Sequence, residues 1–461
     1  MSASVASERG LPPVAERAAA GAREGWLSWN RALAALVLVV WLVPIKLYTL
    51  PVHLPFNLEL YRLLLLALVL VWLGAAVAGA RPIAAGGLGR PALALAAVAT
   101  LSVLANLHAI DGAGLQTQAL KSLSYFVGFL LAYALVCSTV DGSRGVRVVT
   151  RAIVAGGGVV ALAALYESRT RYNVFTHLHS WVPLLHPTHA AAAGHVRSGQ
   201  LRVVASAQHP IALGAALVLA VPLALWLAAH ARTRLRALLG WAAAGLLLAG
   251  AVATVSRTVI LMAVAMLAAG LVVRGREVAR RWPLLLVLVL ALHVAAPGSV
   301  THLYRAFFPK QGLSTSLDAR SGAVGSGRLA DLGPAARSWQ QAPFLGHGLG
   351  TGGDAGTVGA IVDPNSGVPI VFDDQYLNSF VSIGALGLAA VVWFVWGAGG
   401  SLVRRGRRRA GPDDDLIAAF GVSAVGFAAG MLTFDAFSFV QCTLLFFVIA
   451  ALGLKLRELD P

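Results

Sequence analysis

A few isolated cations stand where this chain has little reason to keep them. Arg202 lies in Arg202-Val-Val-Ala-Ser-Ala-Gln-His209-Pro210, just before an apolar run. Arg257 lies in Thr254-Val-Ser-Arg257-Thr258, between two apolar runs with almost no connection. Arg62 follows Asn57 and Glu59 early in another run, and Lys121 opens a further one. A guanidinium near hydrocarbon costs about 2.5–3.5 kcal/mol on insertion scales, so such residues tend to carry function. Its planar fork can pair with two phosphate oxygens at once. Two such groups can neutralise a pyrophosphate and stabilise the charge that builds on it as it leaves. Each arginine also has a plainer reading, in which it snorkels to the interface or pairs with a carboxylate.

A second cluster is Asp373-Asp374-Gln375-Tyr376-Leu377-Asn378, with Gly384 and Gly387 beyond it. Adjacent carboxylates at an interface repel and are desolvated, which raises their pKa. One can then accept a proton from a sugar hydroxyl as a general base. The alternative is a helix N-cap, which accepts backbone N–H bonds and complements the dipole. The cap is the better reading for Asp373; for Asp374 both readings stay open. Gly384 and Gly387 read as sites of close helix packing.

Further along, Gly327-Arg328-Leu329 is followed by Trp339-Gln-Gln-Ala-Pro343-Phe-Leu-Gly346-His347-Gly348-Leu-Gly350. The glycine run can bind an anion through backbone N–H groups. No lysine and serine of a phosphate loop follow it, so no nucleotide site is expected. His347 is read as a turn histidine, with general base as the alternative. His177, His179, His186, His189 and His195 lack an ordered ligand spacing, so no metal and no cofactor are expected. Cys137 and Cys442 lie in apolar runs and read as small buried hydrophobes rather than a disulfide.

The elements that must position these groups follow from composition. The chain has 461 residues, 58% hydrophobic and only 12% charged, against about 25% charged in a soluble domain. That excludes a purely soluble enzyme, a disordered chain and a short-period fibre. A bilayer core needs about 20 apolar residues per helix. Twelve runs approach this: 31–50, 58–79, 91–109, 122–140, 150–166, 209–229, 238–255, 257–273, 283–298, 374–397, 416–433 and 437–455. The fold class is therefore an all-α polytopic membrane protein with about twelve transmembrane helices. Residues 1–30 read as a disordered cytoplasmic tail, without a signal-peptide pattern. Residues 31–166 hold spans one to five, 209–298 spans six to nine and 374–455 spans ten to twelve, with a second tail at 456–461. Two long outer loops, 167–208 and 299–373, are too long to be simple connectors. A segment such as 328–341 reads as an amphipathic helix on the membrane surface.

With both termini in the cytoplasm, 23 of the 36 Lys and Arg fall on inner segments, and the run Arg404–Arg409 is a topology anchor. The net charge of +16 then divides into +13 inside and +3 outside. Placed this way the charge fixes topology and contacts membrane lipids; it gives no reason to expect nucleic acid.

At these residues the chain resembles the O-antigen ligase and polymerase family, polytopic glycosyltransferases of the GT-C type. The pieces occur in order: Tyr166-Glu167-Ser168 with Tyr172-Asn173-Val-Phe175, Arg202 before His209-Pro210, Thr254-Val-Ser256-Arg257-Thr258, Arg328 with Trp339 and Pro343-Phe-Leu-Gly346-His-Gly348-Leu-Gly350, and Asp374-Gln375-Tyr376-Leu377 with Gly384 and Gly387. The match spans roughly 160–390. It implies a GT-C-like fold in a bacterial plasma membrane, and an undecaprenyl-diphosphate-linked glycan as donor. It also implies a glycan or lipid-glycan acceptor, and inverting transfer without a metal. Arg202 and Arg257 match the two functional arginines, which hold the diphosphate. Where the ligase branch has its His base, this chain has Asp374-Gln375, closer to polymerase-type members. Lys121, Arg62, His209, Arg328, Tyr376 and Asn378 are then the candidates for substrate contact.

Two other classes fit the span pattern. A transporter or lipid-linked glycan flippase also has many spans, but it tends to show inverted repeats and midplane charges. Here no clear repeat appears, and charged residues gather at span ends. A non-catalytic partner of a polysaccharide machine would explain the loops but not the interfacial arginines.

Overall fold

A computed structural model describes residues 28–51, 58–188, 196–197, 200–280, 332–351, 372, 374–408 and 411–459. Its helices are α1 (Trp29–Leu42), α2 (Leu60–Val77), α3 (Gly89–Ala105), α4 (Leu107–Gly112), α5 (Gln116–Thr139), α6 (Gly142–Thr170) and α7 (Pro210–Ala229). They continue with α8 (Arg234–Ala253), α9 (Arg257–Arg280), α10 (Leu332–Gln341), α11 (Gln375–Ser382), α12 (Gly384–Arg408), α13 (Pro412–Gly430) and α14 (Val440–Leu459). Extended structure is limited, among the described residues, to two-residue pairs: Tyr48–Thr49 with His186–Pro187, and Val196–Arg197 with Gln200–Leu201.

Nine helices among the described residues are long and apolar enough to cross a membrane. The chain is thus a multi-pass helical membrane protein. Helices α7 and α14 are apolar on all sides and buried by their neighbours, as central helices must be. Helix α14 touches α5, α6, α7, α12 and α13. At the rim, α2, α3 and α9 bury less than a third of their span residues. Leu63, Leu66, Leu70 and Val71 on α2 are exposed; such a stripe suits lipid and would be an aggregation liability in water.

Helix ends collect at two faces, as alternating spans require. At one, Arg81 pairs with Asp141 at 2.5 Å, Arg147 with Asp413 at 2.7 Å, Arg274 with Asp415 at 2.8 Å and Arg405 with Asp414 at 3.4 Å. This is the arginine-rich end. At the other, the connection between α13 and α14 is the hub, and this is the cavity end.

Several expected boundaries move. Run 31–50 stops as a helix at Leu42, because Pro44 drives Val43 to extended geometry (φ −103°, ψ 112°). The buried carbonyls of Val40 and Trp41, at the end of the helix, accept from Gln441 on α14, the former at 2.9 Å. Helix α6 continues to Thr170 rather than ending at 166, closed by Arg171 in the left-handed region. The added turn carries Glu167, whose carboxylate accepts the backbone N–H groups of Val204 and Ala205, at 3.2 and 2.7 Å. Run 374–397 divides into α11 and α12 at Ile383. Of the segment 328–341, expected to be helical, residues 332–341 form a helix that docks on α11, with Trp339 stacked on Phe380 at 4.9 Å; 328–331 lie outside the described residues. Run 283–298 lies outside the described residues.

Candidate functional site

The segment 202–207 is buried throughout, although it lies between helices. Its carbonyls and amides are met from several sides: Asn173 donates to Ala205 O at 2.9 Å, and Glu167 accepts as described. This holds Arg202, only 8% exposed, with its Nε–H donating to the Thr254 carbonyl at 3.1 Å. Thr254 is three residues before Arg257, the first residue of α9. The two arginines expected to work together are therefore brought to one turn. A cation at a helix N-terminus faces the positive end of the dipole, an arrangement that an anion would relieve.

The backbone here is strained. Lys46 (φ 67°), Ala205 (φ 46°) and Val255 (φ 49°) all occupy the left-handed region, which side chains seldom adopt. Each costs on the order of 1–3 kcal/mol, and such outliers cluster at functional sites. These three flank Arg202, Arg257 and the cavity.

That cavity, of about 590 Å³, is lined by Lys46, Lys121, Gln118, Tyr125, Asn378 and Asp435 among others. Lys121 and Asn378 are among the residues expected to meet substrate; Lys46 and Asp435 are not. Lys46 Nζ donates to the Ser438 carbonyl at 3.3 Å and lies 5.9 Å from the centre of the Tyr125 ring. Its pKa is pushed below the ordinary lysine value, first by burial and next by the nearby Lys121; Glu59 and Asp435 oppose the shift. The Ser438 hydroxyl donates to the Asp435 carboxylate. Gln118 donates to Gly350 O at 2.9 Å, so the glycine run forms part of this wall.

Asp374 is a helix cap: its Oδ1 accepts from the Tyr376 and Leu377 amides at 2.7 and 3.1 Å. It fixes the start of α11, and Asn378 on that helix reaches the cavity. Gln375 beside it also lines the cavity and accepts from the Phe437 amide. The Tyr376 hydroxyl donates to Ala428 O at 2.8 Å, which binds α11 to α13. Arg62 also packs over the Tyr125 ring, 4.1 Å from its centre, with Glu59 at 3.5 Å. Burial is the main cause holding the Glu59 carboxyl above its usual range.

His209 caps α7: its Nδ1 accepts from the Ile211 amide at 3.1 Å, and its ring stacks on Phe439 at 5.3 Å. In the neutral ring the proton is then on Nε2. His347 is buried, with Nε2 at 3.0 Å from the Ser338 carbonyl, as a turn histidine would be. Among the described residues, no three His, Cys, Asp or Glu are grouped to hold a metal. Arg328 and Asp373 lie outside the described residues.

The two parts of the site share one support. Gln208 donates to Ser438 O at 2.6 Å, Thr433 bonds Thr258 at 2.9 Å, and Gln375 N–H donates to Met431 O at 2.9 Å. The connection 431–439 thus ties the arginine turn and α11 to the cavity. Sequence reasoning passes over it because it is a short gap between two apolar runs. The signals that could have found it are an acid at that gap and a lysine two residues after a helix-breaking proline. No protein-family model matches this chain, and no curated protein matches it.

Proposed function

We propose that this chain is a GT-C-like membrane glycosyltransferase of about twelve spans. It transfers or polymerises a glycan from undecaprenyl diphosphate onto a glycan or lipid-glycan acceptor. The cavity end faces outward from a bacterial plasma membrane, and both termini are cytoplasmic. The observation that carries this is the gathering of Arg202 and Arg257 at one turn, sharing a support with a polar and aromatic cavity.

The acceptor hydroxyl oxygen attacks the anomeric carbon from the face opposite the diphosphate. The new C–O bond forms as the bond to the diphosphate oxygen breaks, and the electron pair leaves with the phosphate. Configuration at carbon inverts. Arg202 and Arg257 neutralise the diphosphate and stabilise its growing charge, so the cations are the protein's own. The hydroxyl proton passes to a carboxylate. Asp374 is engaged as the cap of α11, so in this mechanism it positions Asn378. Asp435, on the cavity wall, takes the proton.

The test is transfer by purified protein in lipid vesicles, with lipid-linked donor and acceptor. Arg257→Ala is expected to lower the rate by about 100-fold or more while the protein stays folded. Full activity in that variant overturns the mechanism. Movement of the lipid-linked glycan with no new glycosidic bond would favour a flippase instead.

A further inference from the structure

The cavity wall has a charge pattern that neutral sugars do not explain. Among its described residues are two ammonium groups, Lys46 and Lys121, and one carboxylate, Asp435. The chain has only four lysines against 32 arginines, and two of the four line this one cavity. A lysine presents a compact point charge, whereas the guanidinium fork suited to phosphate is supplied separately by Arg202 and Arg257. The rest of the wall offers what a sugar ring needs. Tyr125, Phe126, Phe129 and Phe437 line it with aromatic carbon, and Gln118 and Asn378 give amides. The Asn378 Oδ1 accepts from Ser382 at 2.6 Å, which turns its NH₂ to other partners. The volume lies within the roughly 300–1,000 Å³ usual for small-molecule sites.

We propose that this cavity binds an acidic sugar, a uronic-acid-type residue of the acceptor glycan, with Lys46 and Lys121 pairing with its carboxylate. The word acceptor rests on the glycosyltransferase reading; the acidic-sugar site itself does not. Lys46 is fixed by its strained backbone, its bond to Ser438 and the Tyr125 ring. Lys121 is exposed and stands on the cavity wall at α5. Asp435, held by Ser438, rejects a second negative charge on its side of the cavity, so a single carboxylate is preferred to a diphosphate.

The experiment is binding of soluble probes to the full chain in lipid nanodiscs at low salt. A glucuronate-terminated disaccharide is compared with the matching glucose-terminated one. The acidic probe is expected to bind about tenfold tighter, as charge-assisted pairing predicts. Lys121→Gln, with Lys46 still in place, should weaken the acidic probe more than the neutral one and so reduce that preference, and Lys121→Arg should retain more of it. Equal binding of both probes, or equal losses for both in Lys121→Gln, overturns the proposal. Competition by undecaprenyl diphosphate would place the donor's anion here and overturns it as well. No transfer is measured, so these outcomes are separate from those of Arg257→Ala.

Discussion

The Phe437 amide donates to the Gln375 side-chain oxygen at 2.7 Å, across 62 residues of chain. This bond joins the residue after the α11 cap to the connection that carries Asp435. Gln375 also donates from Nε2 to the Ser379 hydroxyl at 3.0 Å, and it is 3% exposed. Gln375→Leu removes the acceptor and leaves a buried amide unsatisfied, at a cost of about 1–3 kcal/mol. A lower melting temperature in detergent is expected, and Gln375→Glu, which keeps an acceptor oxygen, should recover much of it.

Among the bonds that position Arg202 is the one from its Nε–H to the Thr254 carbonyl. Arg202→Lys keeps the charge but loses the Nε–H that meets Thr254 O. It also loses two-point pairing with phosphate. Transfer by this variant is expected to fall by about 10²-fold, with a normal melting profile. Near-normal transfer would show that charge alone suffices at this position.

Lys46 predicts a pH dependence. Its pKa lies below the ordinary 10.5, through burial and Lys121, with Arg62 acting in the same direction and Glu59 and Asp435 opposing. Pairing with an acidic probe is therefore present at lower pH and lost as pH rises through that depressed pKa. The unliganded protein shows the opposite trend. Between the depressed value and 10.5 the unfolded chain still binds the proton, so stability rises with pH. Lys46→Arg should carry probe binding to higher pH. An alkaline limb unmoved by that substitution would remove Lys46 from the pairing.

The spans were legible because roughly 20 apolar residues in a row have few other uses. Arg202 and Arg257 stood out because both lie at the ends of such runs, and the structure sets Arg202 against the Thr254 carbonyl, three residues before Arg257. The cavity was not. Lys46 sat inside run 31–50, where hydropathy outweighed the warning from Pro44. The surroundings of the two acids are tertiary in origin: Asp374 meets the amides of its own helix, while Asp435 lines a cavity between α5, α11 and the α13–α14 connection. The division of run 374–397 is likewise invisible locally. The freed carbonyls of Val381 and Ser382 accept from the His347 and Gly348 amides, at 3.1 and 2.9 Å, on a distant segment.

Cys137 and Cys442 are both buried, on α5 and α14. A membrane-permeant maleimide is expected to leave both unlabelled in the native protein and to label both after denaturation. Rapid native labelling of Cys442 would contradict the central position of α14.

The division between α11 and α12 can be tested at Gly384. Its φ is +70°, and a Cβ there would strike the backbone of Phe344. Gly346 faces it from the other side, with φ +64° and the Ser382 backbone 2.5 Å from where a Cβ would lie. Ala385 and Leu386 N–H groups donate to the Pro343 and Phe344 carbonyls at 2.9 and 3.3 Å. Gly384→Ala therefore adds left-handed strain of about 1–3 kcal/mol and pushes away a strap that continues to Leu349 and Gly350 on the cavity wall. Both the melting temperature and acidic-probe binding should fall. Gly245 in α8 has open space where a Cβ would lie, so Gly245→Ala is the control. That variant is expected to be neutral, or stabilising by about 0.4–1 kcal/mol through the unfolded chain. If Gly384→Ala behaves like the control, the strap does not support the cavity.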